Sequence, residues 1–418
     1  MRKTLKCFIL VSFVMLFSLA GFKSEASIGQ VTGLKQVGDT TMGFKLEWNA
    51  LLANGIRYEV SISDGKEWVI KQDYTPTSNN ISISGLNAGS TYQVKVRAFT
   101  RKWNSSTSEY VNTYGSYSKV IEAVTSPSSN PGSLRHTSSS SNSVSVAWNA
   151  VPGANAYIVE YANRVSPNAY KRIEVSKPSA VIGKLPKNSM YHVSVYGIRK
   201  SSAGYKTKPS YNSSSKIWDV GVVPSKMKAP VLSYYWQSIS EVSLSCDRVL
   251  SAGGYQYQVK ADKGNKTIKT VETKSNYSTN VKSGSFKKHR TFKARVRGYA
   301  ITSTGKRYYG SWSDWVYFAP QPDVTGIKKM ASGKLRVVWD KIDGASRYAL
   351  YGSTKKSSGY KKIVTTTKTK YDVSKVLNKK LKAGKKYYFR VVAQKKVGSK
   401  FKNLSPGNAN YCWYVTYR

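Results

Sequence analysis

The chain has 418 residues, of which 67 are Lys or Arg and 21 are Asp or Glu, so its formal net charge is +46. This excess predicts attraction to polyanions and by itself says nothing about the fold. A hydrophobic fraction of 40% and an aromatic fraction of 12% exclude a wholly disordered basic chain.

The first residues have the pattern of a secretory signal peptide. Arg2, Lys3 and Lys6 precede an apolar run from Cys7 to Ala20, which is short for a membrane span. We expect cleavage after Ala26, and the alternative is that the run is kept as a membrane anchor. Removal of residues 1–26 would leave two cysteines in different repeats, so we expect no disulfide framework.

Four internal repeats follow. Segments that align without gaps carry an aromatic residue six positions after an apolar one, and these aromatic residues are Tyr92, Tyr191, Phe292 and Tyr387. Upstream in each repeat, an alternating strand ends on one aligned residue, which is Trp48, Trp148, Cys246 and Trp339 in the four repeats in turn. The next alternating strand begins with a tyrosine, which is Tyr58, Tyr157, Tyr257 and Tyr348 in turn. The period-2 alternation predicts half-buried strands throughout.

Proline-containing joints separate the copies. Together with the signal peptide expected at 1–26, these joints predict repeats at 27–126, 127–225, 226–320 and 321–418.

This pattern resembles the fibronectin type III family over nearly the whole mature chain. Its sequence segments look like the fibronectin type III repeats of secreted proteins from Gram-positive bacteria. The resemblance implies an all-β chain of four tandem, seven-stranded, immunoglobulin-like sandwiches. It makes Trp48, Trp148 and Trp339 core residues, and it makes Tyr92, Tyr191 and Tyr387 corner residues that bond back to backbone. The third repeat departs most from the pattern, because Cys246 replaces Trp and Phe292 cannot make the corner bond; we expect it to be the least stable copy.

No motif for catalysis appears in the sequence. Phosphate-cradling loops, nucleophile elbows and metal-ligand spacings are absent. We therefore expect no enzyme activity, no cofactor and no bound metal. The alternative is a glycan hydrolase with a hidden pair of carboxylates.

The charge rises along the chain. The net values are +2, +9, +12 and +20 for the four predicted repeats. In the fourth repeat the cations cluster, and strand alternation sets a row of cations outward in the third repeat. A solvated face that resists aggregation is the alternative. The candidate polyanion-binding residues are Lys355, Lys356, Lys361, Lys362, Lys379, Lys380, Lys382, Lys385, Lys386, Arg390, Lys395, Lys396, Lys400, Lys402, Lys293, Arg295 and Arg297.

Aromatic residues in loops accompany these charges and could stack on sugars or pack locally. They are Trp103, Tyr110, Tyr114, Tyr205, Tyr211, Tyr308, Tyr309 and Phe401.

Together these features predict a secreted, non-enzymatic binding and spacing protein that is either released or held non-covalently at the cell wall. Its expected partner is an anionic polymer, such as teichoic acid or an acidic polysaccharide, or a cell-surface protein. One alternative is a structural spacer whose charge serves solubility. Another is a nucleic-acid or matrix binder, which secretion disfavours.

Overall fold

The computed structural model describes residues 28–70, 76–208, 215–234, 239–274, 276–405 and 412–418. The predicted signal peptide at 1–26 and Tyr211 lie outside these ranges. Within them the chain is built from β-strands, with one 3-10 turn at Lys263–Asn265, and the all-β expectation is confirmed. The described residues divide between two compact units. One runs to Ser128 and includes Pro152–Asn155 and Ile198–Lys208, and the other holds the rest.

The first unit contains a sandwich of two antiparallel sheets. One sheet has the order β1-β2-β5, and the other has the order β4-β3-β6-β7 with β8 also pairing β6. Inward residues of both sheets, such as Leu46 and Val94, form one hydrophobic core. The strands are β1 (Lys35–Thr40), β2 (Gly43–Glu47), β3 (Arg57–Ser63), β4 (Trp68–Ile70), β5 (Asn80–Ile83), β6 (Thr91–Asn104), β7 (Glu109–Tyr114) and β8 (Ile121–Val124).

The second unit begins with a similar pair of sheets, in the orders β13-β10-β9 and β12-β11-β14-β15. Ile198, the last residue of β14, belongs to the first unit. The strands are β9 (Arg135–Ser139), β10 (Val144–Ala147), β11 (Ala156–Asn163), β12 (Lys171–Val175), β13 (Ser179–Ile182), β14 (Met190–Ile198) and β15 (Ser215–Gly221).

The next stretch of the second unit has sheets in the orders β16-β17-β20 and β19-β18-β21-β22, with β23 also pairing β21. The strands are β16 (Val231–Tyr234), β17 (Glu241–Ser245), β18 (Gly254–Ala261), β19 (Thr267–Lys274), β20 (Ser278–Lys282), β21 (Phe292–Ile301), β22 (Arg307–Tyr309) and β23 (Val316–Phe318).

The last stretch has sheets in the orders β24-β25-β28 and β27-β26-β31-β32, a small sheet β29-β30, and β33 pairing β31. The exact boundaries of the four repeats stay predictions. The strands are β24 (Val324–Lys329), β25 (Leu335–Trp339), β26 (Arg347–Ser353), β27 (Lys361–Thr366), β28 (Lys370–Val373), β29 (Lys375–Val376), β30 (Lys379–Lys380), β31 (Lys386–Val397), β32 (Lys400–Asn403) and β33 (Trp413–Thr416).

A tryptophan and a tyrosine meet edge to face in three of the cores. The ring centroids are 5.2 Å apart for Trp48 and Tyr58, and the same contact joins Trp148 to Tyr157 and Trp339 to Tyr348. This geometry is preferred by aromatic pairs beyond the area that they bury.

Each of these tyrosines also fastens the loop that precedes its strand. The hydroxyl of Tyr58 accepts a hydrogen bond from the backbone amide of Leu51 at 3.0 Å. Tyr157 and Tyr348 do the same for the amides of Val151 and Ile342, at 3.1 and 2.9 Å. A buried amide is satisfied in this way at the same place in each sandwich.

The third stretch corrects the sequence alignment. There the backbone amide of Val249 in the loop donates a hydrogen bond of 2.8 Å to the hydroxyl of Tyr255, and not to that of Tyr257. Tyr257 lies two residues along the same strand face, and its hydroxyl lies 3.1 Å from the sulfur of Cys246. A second tyrosine therefore takes up space beside the cysteine that replaces tryptophan. Burial raises the pKa of the Cys246 thiol, which keeps it protonated near neutral pH.

The corner tyrosines differ from one another. The hydroxyl of Tyr92 accepts from the amide of Asn87, and that of Tyr387 accepts from the amide of Lys382, both at 2.9 Å. The aligned position before Tyr191 is Pro186, which has no N–H to donate. Tyr191 is buried but packs edge to face on Tyr161 instead. The corner bond expected for this residue cannot form with that position.

The third stretch replaces the corner bond by ring packing. Phe292 contacts Phe286 and Phe318, with ring centroids 5.2 and 5.6 Å apart. All three rings are buried. The low stability expected for this repeat stays a prediction.

The corner bond of the first sandwich can be tested by Tyr92→Phe. The substitution leaves the Asn87 amide without its acceptor, so we expect the local free energy of unfolding to fall by about 1 kcal/mol. Hydrogen exchange of β6 amides in the full chain measures this. The control is Tyr191→Phe, for which the amides of β14 should change by less than about 0.5 kcal/mol. Equal losses at both sites would contradict the assignment.

Candidate functional site

Strand register separates the cations of the last sandwich into two groups. In the central pair, Arg347 of β26 lies opposite Gln394 of β31, and Ser353 lies opposite Tyr388. The loop after Ser353 and the start of β31 therefore lie at one end of the sheet. The β31–β32 hairpin lies at the other end.

Nine lysines gather at the first of these ends, which we call the basic tip. β27 brings lysines there because Lys361 pairs with Gly352, and the small sheet adds more because Lys379 pairs with Val376. Gly352 and Val376 are neighbours in the fold. All nine side chains are exposed: Lys355, Lys356, Lys361, Lys362, Lys379, Lys380, Lys382, Lys385 and Lys386.

Sequence reasoning missed two further basic residues at this end, Lys329 and Arg418. The ammonium group of Lys329 donates to the backbone oxygen of Arg418 at 2.7 Å. The pairing of Lys386 with Thr416 places the end of the chain beside the basic tip. Lys329 is the last residue of β24, a strand that the sequence analysis did not place.

The side-chain carboxylates that the structure describes do not neutralise the basic tip. Asp372 is paired with Arg336 through two hydrogen bonds of 2.7 and 2.8 Å, and this pair lowers the pKa of that carboxyl. Among the described residues, none of the nine lysines forms an ion pair. Lys375 lies directly opposite Lys380 across the small sheet, and like charges in that position destabilise a strand pair. The cost of this repulsion makes the cluster a candidate for binding anions.

The other group lies on the β31–β32 hairpin. There Lys395 is mostly buried and pairs with Asp262, and its ammonium group also lies over the ring of Tyr317. Lys396, Lys400 and Lys402 are exposed. Lys395 therefore already has a partner within the protein.

Arg390 corrects the expectation that it points outward to solvent. Alternation does place it on the face opposite Phe389 and Val391, but it is only 6% exposed. The ring of Tyr360 covers it, with the guanidinium carbon 3.7 Å from the ring centroid. A buried guanidinium is not available to a polymer at the surface.

The cation row of the third sandwich is interleaved with aromatic rings. The guanidinium carbon of Arg295 lies 4.3 Å from the ring centroids of both Trp312 and Trp315. Arg297 lies 4.3 Å from Trp312, and the ammonium of Lys293 lies 5.0 Å from Trp315. We call this stack the cation–aromatic ladder. Its cations have aromatic partners and are not a bare track.

Hydrogen bonds hold the ladder in the plane of the sheet. The side-chain oxygen of Gln258 accepts from Nε and Nη2 of Arg295 at 3.0 and 2.7 Å. Gln256 accepts from Nε of Arg297 at 2.8 Å. Burial lowers the pKa of both guanidinium groups, because the protein removes part of their hydration.

The first sandwich repeats the arrangement on a smaller scale. Lys95 lies over the rings of Trp68 and Tyr117, at 4.1 and 4.3 Å, and Arg97 lies 3.7 Å from the ring of Tyr114. Arg97 also pairs with the nearly buried carboxylate of Glu59 at 2.8 Å.

Sequence reasoning missed the rings, although a signal for them exists. The tetrads Gly115–Ser118 and Gly310–Ser313 read GSYS and GSWS. The second serine of each donates from its backbone amide to strand β6 or β21, and its hydroxyl accepts from the amide of Val96 or Val296 at 3.0 Å. These paired bonds set the rings beside the cations.

The remaining loop aromatics are divided between packing and exposure. The hydroxyl of Tyr205 donates to Asp39 at 2.7 Å, and burial raises its pKa. Trp103 and Tyr110 pair edge to face at 5.0 Å and are more than half exposed. Tyr114 packs on Arg97, Tyr309 on Arg297 and Phe401 on Arg347. The hydroxyl of Tyr308 donates a hydrogen bond to a backbone oxygen.

Two features are absent from the described part of the chain. No three or more His, Cys, Asp or Glu side chains come together as metal ligands. No helix there combines the length and hydropathy of a membrane span.

The ladder can be tested by Arg295→Ala. The substitution empties the space between two indoles and breaks both bonds to Gln258, so we expect the third sandwich to lose about 2 kcal/mol of stability. Thermal unfolding followed by tryptophan fluorescence measures the loss. The control Lys269→Ala removes an exposed cation from β19 of the same sandwich and should change stability by less than about 0.5 kcal/mol. An unchanged unfolding transition for Arg295→Ala would show that the stack does not stabilise the fold.

Comparison with curated proteins gives short, partial matches. Roundabout homolog 1 of Mus musculus is 27% identical over 154 residues, which is 35% of this chain and 9% of the relative. Roundabout homolog 1 of Rattus norvegicus matches to the same extent. The chain thus spans less than a tenth of the curated relatives that it matches.

The solved structures that match include two of chicken proteins. The FN1–FN3 domains of CNTN1 match with a TM-score of 0.26 and 18% identity, covering 70% of this chain and 99% of that one. A two-domain fibronectin type III segment of tenascin matches with a TM-score of 0.24 and 18% identity, covering 45% and 98%. Residues 29–114 match the model of the fibronectin type III domain. This match and the paired sheets described above show that the all-β chain carries a fibronectin type III domain in its first sandwich.

Proposed function

We propose that this chain is a secreted, non-enzymatic binding and spacing protein that holds an anionic polymer through its basic tip. The polymer would be a cell-wall or extracellular glycan, such as teichoic acid or an acidic polysaccharide. The observation that carries the proposal is the set of nine exposed lysines at one end of the last sandwich, none of which has an ion-pair partner among the described residues.

The chemistry of lysine suits a repetitive polymer. An ammonium group on a flexible stem is a point charge that accepts phosphate, sulfate or carboxylate without a fixed geometry. Several such contacts made along one polymer add up through effective concentration, although each is weak in water. The same flexibility gives little discrimination among anions.

The cation–aromatic ladder is a weaker candidate for this role. The faces of Arg295 and Arg297 are covered by rings, and their Nε groups are bonded to Gln258 and Gln256. A polymer that took these cations would have to replace contacts that the fold already makes. The proposal therefore assigns polymer binding to the basic tip, and it assigns a stabilising role to the ladder.

A charge-matched pair of variants tests this assignment. One carries Lys355→Glu, Lys356→Glu, Lys379→Glu and Lys380→Glu at the basic tip. The other carries Lys263→Glu, Lys266→Glu, Lys269→Glu and Lys274→Glu, at exposed lysines of the third sandwich. Since the net charge changes equally, we expect only the tip variant to lose affinity for purified teichoic acid, by at least about tenfold at low salt.

The measurement is binding of the full chain to immobilised polymer at rising salt. The wild-type chain should lose affinity steeply, because salt screens exposed charges. Equal losses for the two variants would show that total charge alone matters and would support the solubility alternative. Preference for single-stranded DNA over teichoic acid and acidic polysaccharide at equal charge density would contradict the glycan assignment.

A further inference from the structure

A cavity of about 570 Å³ lies within the second unit, away from the basic tip. One side is formed by β14 and β15, which contribute Met190, Asp219 and Gly221. The other side is the loop of residues 248–253, which joins β17 to β18. A volume of this size is in the range that accommodates small organic ligands.

The loop side carries polar groups that the protein leaves unused. The hydroxyl of Ser251 is buried at 1% exposure and has no hydrogen-bond partner among the described residues. An unsatisfied buried hydroxyl costs free energy unless something bonds to it. Arg248 is exposed at the cavity wall and forms no ion pair within the described ranges. The site therefore offers one free cation and one free hydroxyl.

The strand side carries the complementary group. The carboxylate of Asp219 accepts a hydrogen bond from Arg164, and both side chains remain about half exposed. Asp219 also adopts a left-handed backbone with φ of 61° inside β15. Conformations of this kind cost free energy and concentrate at binding sites. Asp219 keeps acceptor capacity for hydroxyl donors.

Apolar groups complete the wall. Tyr255, Ile301, Leu250 and Ala252 line the cavity beside the polar groups. The hydroxyl of Tyr255 is held by the amide of Val249, so this ring is fixed in place. The half-buried aliphatic side chains of Leu250 and Ile301 next to polar groups suit the C–H face of a sugar ring.

We propose that this cavity binds a sugar acid, a single uronic acid residue. Arg248 takes the carboxylate, Ser251 and Arg164 donate to ring hydroxyls, and Asp219 accepts from a hydroxyl. Guanidinium–carboxylate pairs are short, directional and stronger than neutral hydrogen bonds. The site would recognise a single uronic acid unit through side chains that are held in place, in contrast to the flexible lysines of the basic tip.

The test uses methyl β-D-glucuronide and methyl β-D-glucoside, which differ at the carboxylate. NMR titration of the full chain should show binding of the glucuronide and at least tenfold weaker binding of the glucoside. Arg248→Gln should weaken glucuronide binding at least tenfold. Ser251→Ala should weaken it several-fold without lowering the Tm, because the removed hydroxyl has no partner in the fold.

Two controls separate this site from general charge. Lys269→Gln removes an exposed cation of the same sandwich, and the four-lysine variant of the basic tip removes the proposed polymer site. Both should bind the glucuronide with unchanged affinity. Equal binding of the two sugars, unchanged binding by Arg248→Gln, or an equal loss in Lys269→Gln would overturn the proposal. If the basic tip fails to bind a polymer, the glucuronide titration still tests the cavity, so the two proposals are tested separately.

Discussion

The fold depends on one repeated contact. It is a hydrogen bond that the hydroxyl of a buried tyrosine accepts from a backbone amide in the loop before its strand. Tyr58, Tyr157, Tyr255 and Tyr348 make this bond at 2.8 to 3.1 Å. Three of these rings also pack edge to face on a core tryptophan. The bond fixes the strand that carries the tyrosine to the loop that precedes it, and the ring pair fixes both to the facing sheet. The outward cations lie on β6, β21 and β31, which pair with the tyrosine-bearing strands β3, β18 and β26.

Alternation and spacing were sufficient to predict an all-β chain of half-buried strands, and the resemblance to the fibronectin type III family implied the sandwiches and the core positions of the three tryptophans. They were not sufficient where a partner came from a distant segment. Tyr257 was aligned with the loop-fastening tyrosines because its strand has period 2, so a shift of two residues leaves the pattern unchanged. Only the hydrogen bond of Tyr255 distinguishes the two positions. In the second sandwich the sequence itself held the answer. Pro186 has no N–H, so it cannot donate the corner hydrogen bond to Tyr191.

The charged surface was predictable in composition and less so in arrangement. Alternation put Arg390 on the outer face correctly, but it could not show that the ring of Tyr360 covers that face. In the same way, the outward row of Lys293, Arg295 and Arg297 gave no sign of the indoles between its members. The cations of the fourth predicted repeat, whose net charge is +20, thus include an exposed tip of nine lysines, and they include others, such as Lys395, that have partners inside the protein.

The central claim is that the basic tip, and not charge in general, holds an anionic polymer. Lysine acetylation of the full chain, with and without teichoic acid and read by mass spectrometry, tests it most directly. The account predicts that the polymer protects the nine lysines of the basic tip and leaves Lys263, Lys266, Lys269 and Lys274 reactive. Uniform protection of all exposed lysines, or protection confined to the third sandwich, would contradict it.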